Sequence, residues 1–143
     1  MSVRAAAEML TASMLAYFFL TNHVRLGRLN NLSHPMAQWR STAVGVLPGA
    51  LVLAGVASGK RLAIVLGACW LWLWFALQVR QWWIPYLFGR TPFHRNFRWY
   101  AEGGYHRTLS LLPIKGERPR PDLQHLLLQI LTLSAAVLTT LAA

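Results

Sequence analysis

Apolar residues run along this chain in four blocks, each close to the length of a membrane-crossing helix. They cover 5–22 (AAAEMLTASMLAYFFLTN), 42–58 (TAVGVLPGALVLAGVAS), 62–83 (LAIVLGACWLWLWFALQVRQWW) and 123–142 (LQHLLLQILTLSAAVLTTLA). Spanning about 30 Å of hydrocarbon takes about 20 residues of helix. Glu8 in the first turn of the first block and Arg80 near the end of the third are the only formal charges inside them. The pattern predicts an all-α integral membrane protein, a single domain over 1–143 with four transmembrane helices. Between spans three and four lies a basic loop, 84–122, that carries a short amphipathic interfacial helix.

Residues 69–86 (CWLWLWFALQVRQWWIPY) test that reading, because Trp70, Trp72 and Trp74 alternate as in a strand. The alternation stops at Trp74, and a lone strand in lipid would leave its backbone groups unpaired. On a helix, Trp70 and Trp74 share a face and Trp72 points the other way. Packing in the bundle, or lining a cavity for an apolar ligand, accounts for such a cluster. Arg80 would snorkel to the head groups, Trp82 and Trp83 would form an interfacial belt, and Pro85 is expected to end the helix. Arg80, helped by Gln78 and Gln81, is also placed to contact a lipid phosphate or a substrate.

Basic residues set the expected orientation. Arg4, Lys60 and Arg61 lie on the side of the termini. Arg25, Arg28, Arg40, Arg90, Arg95, Arg98, Arg107, Lys115, Arg118 and Arg120 lie in the two loops on the other side. Positive residues favour the cytoplasmic side. Both termini are therefore expected outside, in a plasma membrane of bacterial type. The first span offers no small-x-small site at Thr21-Asn22-His23 and reads as a retained helix rather than a cleaved signal.

Composition agrees. Hydrophobic residues make up 55% of the 143 and charged ones 13%, against about 25% charged in an ordinary soluble domain. A net charge of +10 beside four spans points to anionic lipid rather than nucleic acid. Cys69 is the only cysteine, so no intrachain disulfide forms.

Small residues mark the second span: Gly45 and Gly49, then Gly55 and Gly59, repeat at GxxxG spacing, with Pro48 between the first pair. Such stripes let helix backbones approach closely. They serve either the bundle or a contact with a second copy or another membrane subunit. Glu8 lies on the same side as Lys60 and Arg61 and is expected to pair with them across the rim.

The 84–122 loop holds most of the polar chemistry. Thr91-Pro92 starts, and Gly103-Gly104 stops, an expected helix over 92–102 with Phe93, Phe97 and Tyr100 on one side. Arg25, Arg28, Arg80, Arg95, Arg98 and Arg107 are the candidate lipid-phosphate contacts. Asp122 is expected to cap the fourth span. His23 and His125, at the same end of spans one and four, are the candidate axial ligands of a haem. Glu102 and His106 beside Arg107 form the one acid–base constellation, suited to a phosphate head group. HExxH, CxxC, GxSxG and phosphate-loop motifs are missing, so no dedicated metal site is expected.

Packing and anchoring features outnumber groups able to do chemistry. The leading expectation is a non-catalytic subunit or scaffold of a membrane complex, held by anionic lipid and by contacts with its own copies or other subunits. The alternative is an enzyme or carrier acting on a lipid or polyprenyl phosphate at the cytoplasmic face. A haem-binding membrane protein is the third.

Overall fold

The computed structural model describes residues 1–30, 32, 35–94, 97, 98, 100 and 105–143, with backbone alone at 35–37 and 106. Its regular elements are α1 (Val3–His23), α2 (Pro35–Ser58), α3 (Arg61–Phe88), a 3-10 turn at Tyr105–Arg107, and α4 (Leu123–Leu141). Among the described residues there is no strand, and all four helices are long and apolar enough to cross a membrane.

Local chemistry explains where the helices begin and end. Ser2 caps α1, its hydroxyl accepting from the Ala5 N–H at 3.2 Å. At the other end the Asn30 amide folds back and donates to the carbonyls of Thr21 and Val24, both at 2.6 Å. It thereby satisfies groups that a helix end leaves without partners. Pro35 opens α2, where its missing N–H costs nothing. Gly59, at φ +68°, makes the tight turn into α3. Asp122 caps α4 as expected, accepting from the His125 N–H at 2.9 Å.

Pro85 departs from expectation: it lies inside α3, which continues to Phe88. A proline there leaves the carbonyl four residues back without its usual donor. That carbonyl belongs to Gln81, and the Tyr100 hydroxyl donates to it at 2.6 Å. Gly89, at φ +77°, then closes the helix, while the Arg118 guanidinium donates to the Leu87 carbonyl at 2.7 Å. The lost backbone bond is replaced from outside the helix, so the helix need not stop.

The helices pack as a closed ring, α1 against α2, α2 against α3, α3 against α4 and α4 back against α1. Leu15, Phe18, Val52, Leu71, Trp74 and Leu128 form the centre with small residues such as Ala7, Ala135 and Ala136. Gly45 and Gly49 turn inward: a Cβ on Gly45 would lie 2.5 Å from the Phe18 ring, and one on Gly49 would meet Leu15. Gly55 faces Ala63 of α3. The glycine stripe is thus used within one bundle. Apolar side chains cover the outside, with Leu51 76% and Leu66 61% exposed, whereas Thr11, Thr132 and Thr139 are fully buried.

Two further expectations change. Glu8 pairs with Arg4 one turn back, at 3.7 Å, rather than across the rim. Pro92 and Phe93 form a turn closed by the His94 N–H on the Thr91 carbonyl, so no helix begins at 92. The rest of the expected 92–102 helix falls largely outside the described residues.

Candidate functional site

A cavity of about 490 Å³ opens inside the bundle at the end where the two long loops lie. Its wall comes from every helix: Phe18 and Asn22 of α1, Gln38, Ser41, Val44 and Gly45 of α2, Trp70 to Trp82 of α3, and Gln124, His125 and Leu128 of α4. Phe93, His94 and Tyr105 of the loop complete it. The volume falls in the range of small-molecule sites, about 300–1,000 Å³.

The lining is graded. Toward the middle of the bundle it is aromatic, Phe18 meeting Trp74 edge-on at 5.1 Å between ring centres and Trp70 lying 6.1 Å from Trp74. The Phe18 ring fits because Gly45 has no side chain. Toward the loops the lining is rich in carboxamides, from Asn22, Gln38, Gln78, Gln81 and Gln124. Arg80 supplies the positive charge, with its guanidinium 4.8 Å above the Phe93 ring.

Two polar atoms of this wall are buried without a hydrogen-bond partner: the Trp70 indole N–H and the Gln78 carbonyl oxygen. The Gln78 amide nitrogen is engaged, donating to the Thr132 hydroxyl at 3.0 Å. Leaving such a group unpaired costs about 1–3 kcal/mol. Trp70 and Gln78 of the wall thus hold one unmet donor and one unmet acceptor, about two helical turns apart on α3, each atom with almost no accessible surface.

Behind the wall lies an aspartate–histidine pair. Asp122 is buried; its Oδ2 accepts from the Thr108 hydroxyl at 2.7 Å, and its Oδ1 accepts from the His125 backbone N–H at 2.9 Å. The same oxygen lies 2.5 Å from His125 Nδ1. Burial pushes the Asp122 carboxyl upward, but the charge and hydrogen bonds of His125, with the Thr108 hydroxyl, outweigh it and hold it below its ordinary value. An ionised carboxylate only accepts, so Nδ1 carries the hydrogen. The imidazole is also fixed by rings, with Trp82 at 3.9 Å and Tyr105 at 5.7 Å between centres. Burial and the neighbouring Asp122 charge raise the Tyr105 hydroxyl to about 12. Burial, and then Arg80, lower His94.

Of the residues expected to carry function, Trp70, Trp74, Arg80 and His125 meet at this cavity, with Gln78 and Gln81. His23 is elsewhere: its Nε2 lies 2.8 Å from the Thr42 hydroxyl, and its ring packs between Phe19 and Trp39. The two histidines considered for haem thus have separate surroundings. Arg25, Arg28, Arg98 and Arg107 lie at the exposed surface. Arg95, Glu102 and the His106 side chain are outside the described residues. Trp72 points away and donates to the Thr140 hydroxyl at 3.1 Å. Among the described residues no three His, Cys, Asp or Glu side chains gather as a metal site.

Sequence reading missed His94, Tyr105 and Gln124 as wall residues, and the second role of Asp122. The Asp122–His125 spacing was a usable signal, since a cap residue and the side chain three positions on lie together at a helix start. No protein family, curated protein or solved structure was found to match the chain.

Proposed function

We propose that this chain is an integral membrane protein that binds an amphipathic, membrane-soluble small molecule inside its helical bundle. The observation that carries the reading is the graded cavity, aromatic toward the middle of the bundle and rich in carboxamides toward the loops. A ligand with an apolar body would lie against Phe18, Trp70 and Trp74. Its polar end would meet the carboxamides, His125 and Arg80. Insertion in a membrane is supported by the outward leucines and the inward threonines, the reverse of a water-soluble bundle. The loop side is favoured as cytoplasmic by its ten basic residues, against three at the other end. Exposed Phe93 under Arg80, and exposed Arg25 and Arg28, suit a surface of anionic head groups.

This reading takes up the carrier or enzyme alternative rather than the scaffold. Gly45 and Gly49, the features that motivated a contact between subunits, are already in contact with α1 of the same chain. Native mass spectrometry of protein gently extracted from its own membrane tests the two together. The expected particle is the chain carrying a bound small molecule, which is lost in Ser41→Trp and Gln78→Leu variants. A bare chain, or a small molecule retained equally in both variants, would overturn the reading. Foreign subunits in every particle, with no small molecule, would restore the scaffold.

A further inference from the structure

We infer that the cavity opens sideways to the bilayer between α2 and α3 and takes up an anionic membrane lipid, whose chain passes that opening while its oxyanion head stays at Arg80. The inference rests on the intramembrane binding site proposed above, and names its route of entry and the chemistry of its ligand.

The opening is read from residues that line the cavity and still face outward. Ser41 and Val44 of α2, with Leu77 and Arg80 of α3, all border it. All four are exposed, Val44 at 67% and Leu77 at 45%. Ser41 and Val44 lie one turn apart, as do Leu77 and Arg80, so each pair forms one edge of a gap between the two helices. Toward the turn at Gly59 the same helices are in close contact. A Cβ on Gly67 would lie 2.9 Å from Val52, and one on Gly55 would lie 3.2 Å from Ala63. The two helices thus touch through glycines in one half and part in the other. Pro48 of α2 stands between the halves, where it deprives the Val44 carbonyl of its helical donor. In a membrane such a gap faces hydrocarbon, and the chains of lipids are what lie against it.

Charge selects the lipid. Among the described residues the wall holds no Asp or Glu, and Arg80 is its one permanent cation. The ion pairs of the described residues, Arg4–Glu8, Arg90–Glu117 and His125–Asp122, leave Arg80 out. Its guanidinium rests 4.8 Å above the ring of Phe93, which also lines the cavity. A guanidinium so placed offers its fork of donors to the paired oxygens of a phosphate or a carboxylate. Length then selects a chain. Arg80 lies six residues from Trp74 and ten from Trp70, which is about 9 Å and about 15 Å along a helix. A ligand that meets both the guanidinium and the tryptophans is extended, with its charge at one end. An acyl lipid has that form.

The test uses the full chain in phosphatidylcholine nanodiscs, doped with a lipid that carries a diazirine near the end of its chain. Three probes share that chain: a phosphatidic acid, a free fatty acid and an uncharged monoglyceride. Irradiation and peptide mapping read where the chain end lies. An anionic probe should label Phe18, Gly45, Trp70 and Trp74 about tenfold more than the monoglyceride does, the scale of a hydrogen bond to a charged group. Labelling by the phosphatidic acid alone would assign the head as a phosphate, and by the fatty acid alone as a carboxylate. Arg80→Gln should abolish the preference and Arg80→Lys should keep part of it. Arg40→Gln, an exposed cation of α2 outside the wall, should change nothing. Val44→Trp, which narrows the gap from the lipid side, should cut labelling of the wall by every probe. Equal labelling by all three probes, unchanged in Arg80→Gln, would overturn the anionic head and leave the binding site standing. Labelling of the wall unchanged in Val44→Trp would overturn the sideways opening. Labels confined to outward residues such as Leu51 and Leu66, with every probe, would overturn the binding site itself, and the inference with it.

Discussion

Adding one methyl group at Gly45 probes both the bundle and its cavity. A Cβ built there lies 2.5 Å from Phe18 Cε1 and 3.0 Å from Trp74 Cζ2, so a ring must move. Forcing an extra methyl into a packed core costs about 1–3 kcal/mol, while Ala improves on Gly in a helix by about 1 kcal/mol. The two effects oppose, and the net expected loss in Gly45→Ala is about 0–2 kcal/mol. Phe18 borders the cavity, so its ring has somewhere to go, and the price is cavity volume rather than a broken fold. The sharper quantity is the coupling. Removing the ring in Phe18→Ala relieves the closer of the two contacts and leaves only Trp74 to adjust, so the methyl should then cost little or stabilise through its helix term. A double-mutant cycle on reversible unfolding in mixed detergent micelles should give a coupling of about 1–3 kcal/mol, within the usual range for residues in contact. Gly45→Ala should also weaken uptake of an apolar probe. Equal effects of Gly45→Ala with and without the Phe18 ring would refute the inward placement of the glycine. So would loss of a dimer in Gly45→Ala with no change in the stability of the monomer.

Tyr100→Phe should cost about 1–3 kcal/mol, because it strips from the Gln81 carbonyl the hydroxyl donor that replaces the N–H missing at Pro85. Pro85→Ala in that background should recover part of the loss by restoring a backbone N–H, as read by unfolding in the same micelles. The stability contributed by Asp122 follows from its depressed folded value. It is fully present above the ordinary carboxylate value of 3.8 and is lost as pH falls through the lower value in the folded state. Melting temperatures followed down to pH 3 should therefore fall at the acid end in wild type and less in Asp122→Asn; parallel curves would contradict this. Trp70→Phe removes a buried unpaired N–H while keeping a ring, so it should leave the empty protein as stable or up to about 2 kcal/mol more stable. The same variant should bind the small molecule more weakly by mass spectrometry, and lower stability with unchanged binding would count against the site.

What the sequence determined by itself was the architecture. Length and hydropathy place four helices, because an apolar run of about 20 residues has few other stable forms in lipid. The start of α4 was legible at Asp122, because a helix cap is short-range chemistry. The helical reading of Trp70, Trp72 and Trp74 likewise followed from the run that contains them. Pro85 was misread because the remedy for its missing N–H comes from Tyr100, a residue brought in only by the loop. The direction of Gly45 was open for a similar reason. GxxxG spacing states that a face is flat, and only the neighbour that fills it, here Phe18, decides whether the contact is within the chain. The site was hardest to see. Its wall draws on residues from 18 to 128, and Gln78 and Gln124 carry no motif that marks them. Their meaning arises from the closed ring of helices, which buries a donor and an acceptor beside a cavity and sets His125 between Asp122 and that space. Periodicity along a chain encodes which face turns inward; which polar groups then meet, and which go unpaired, depends on three-dimensional packing.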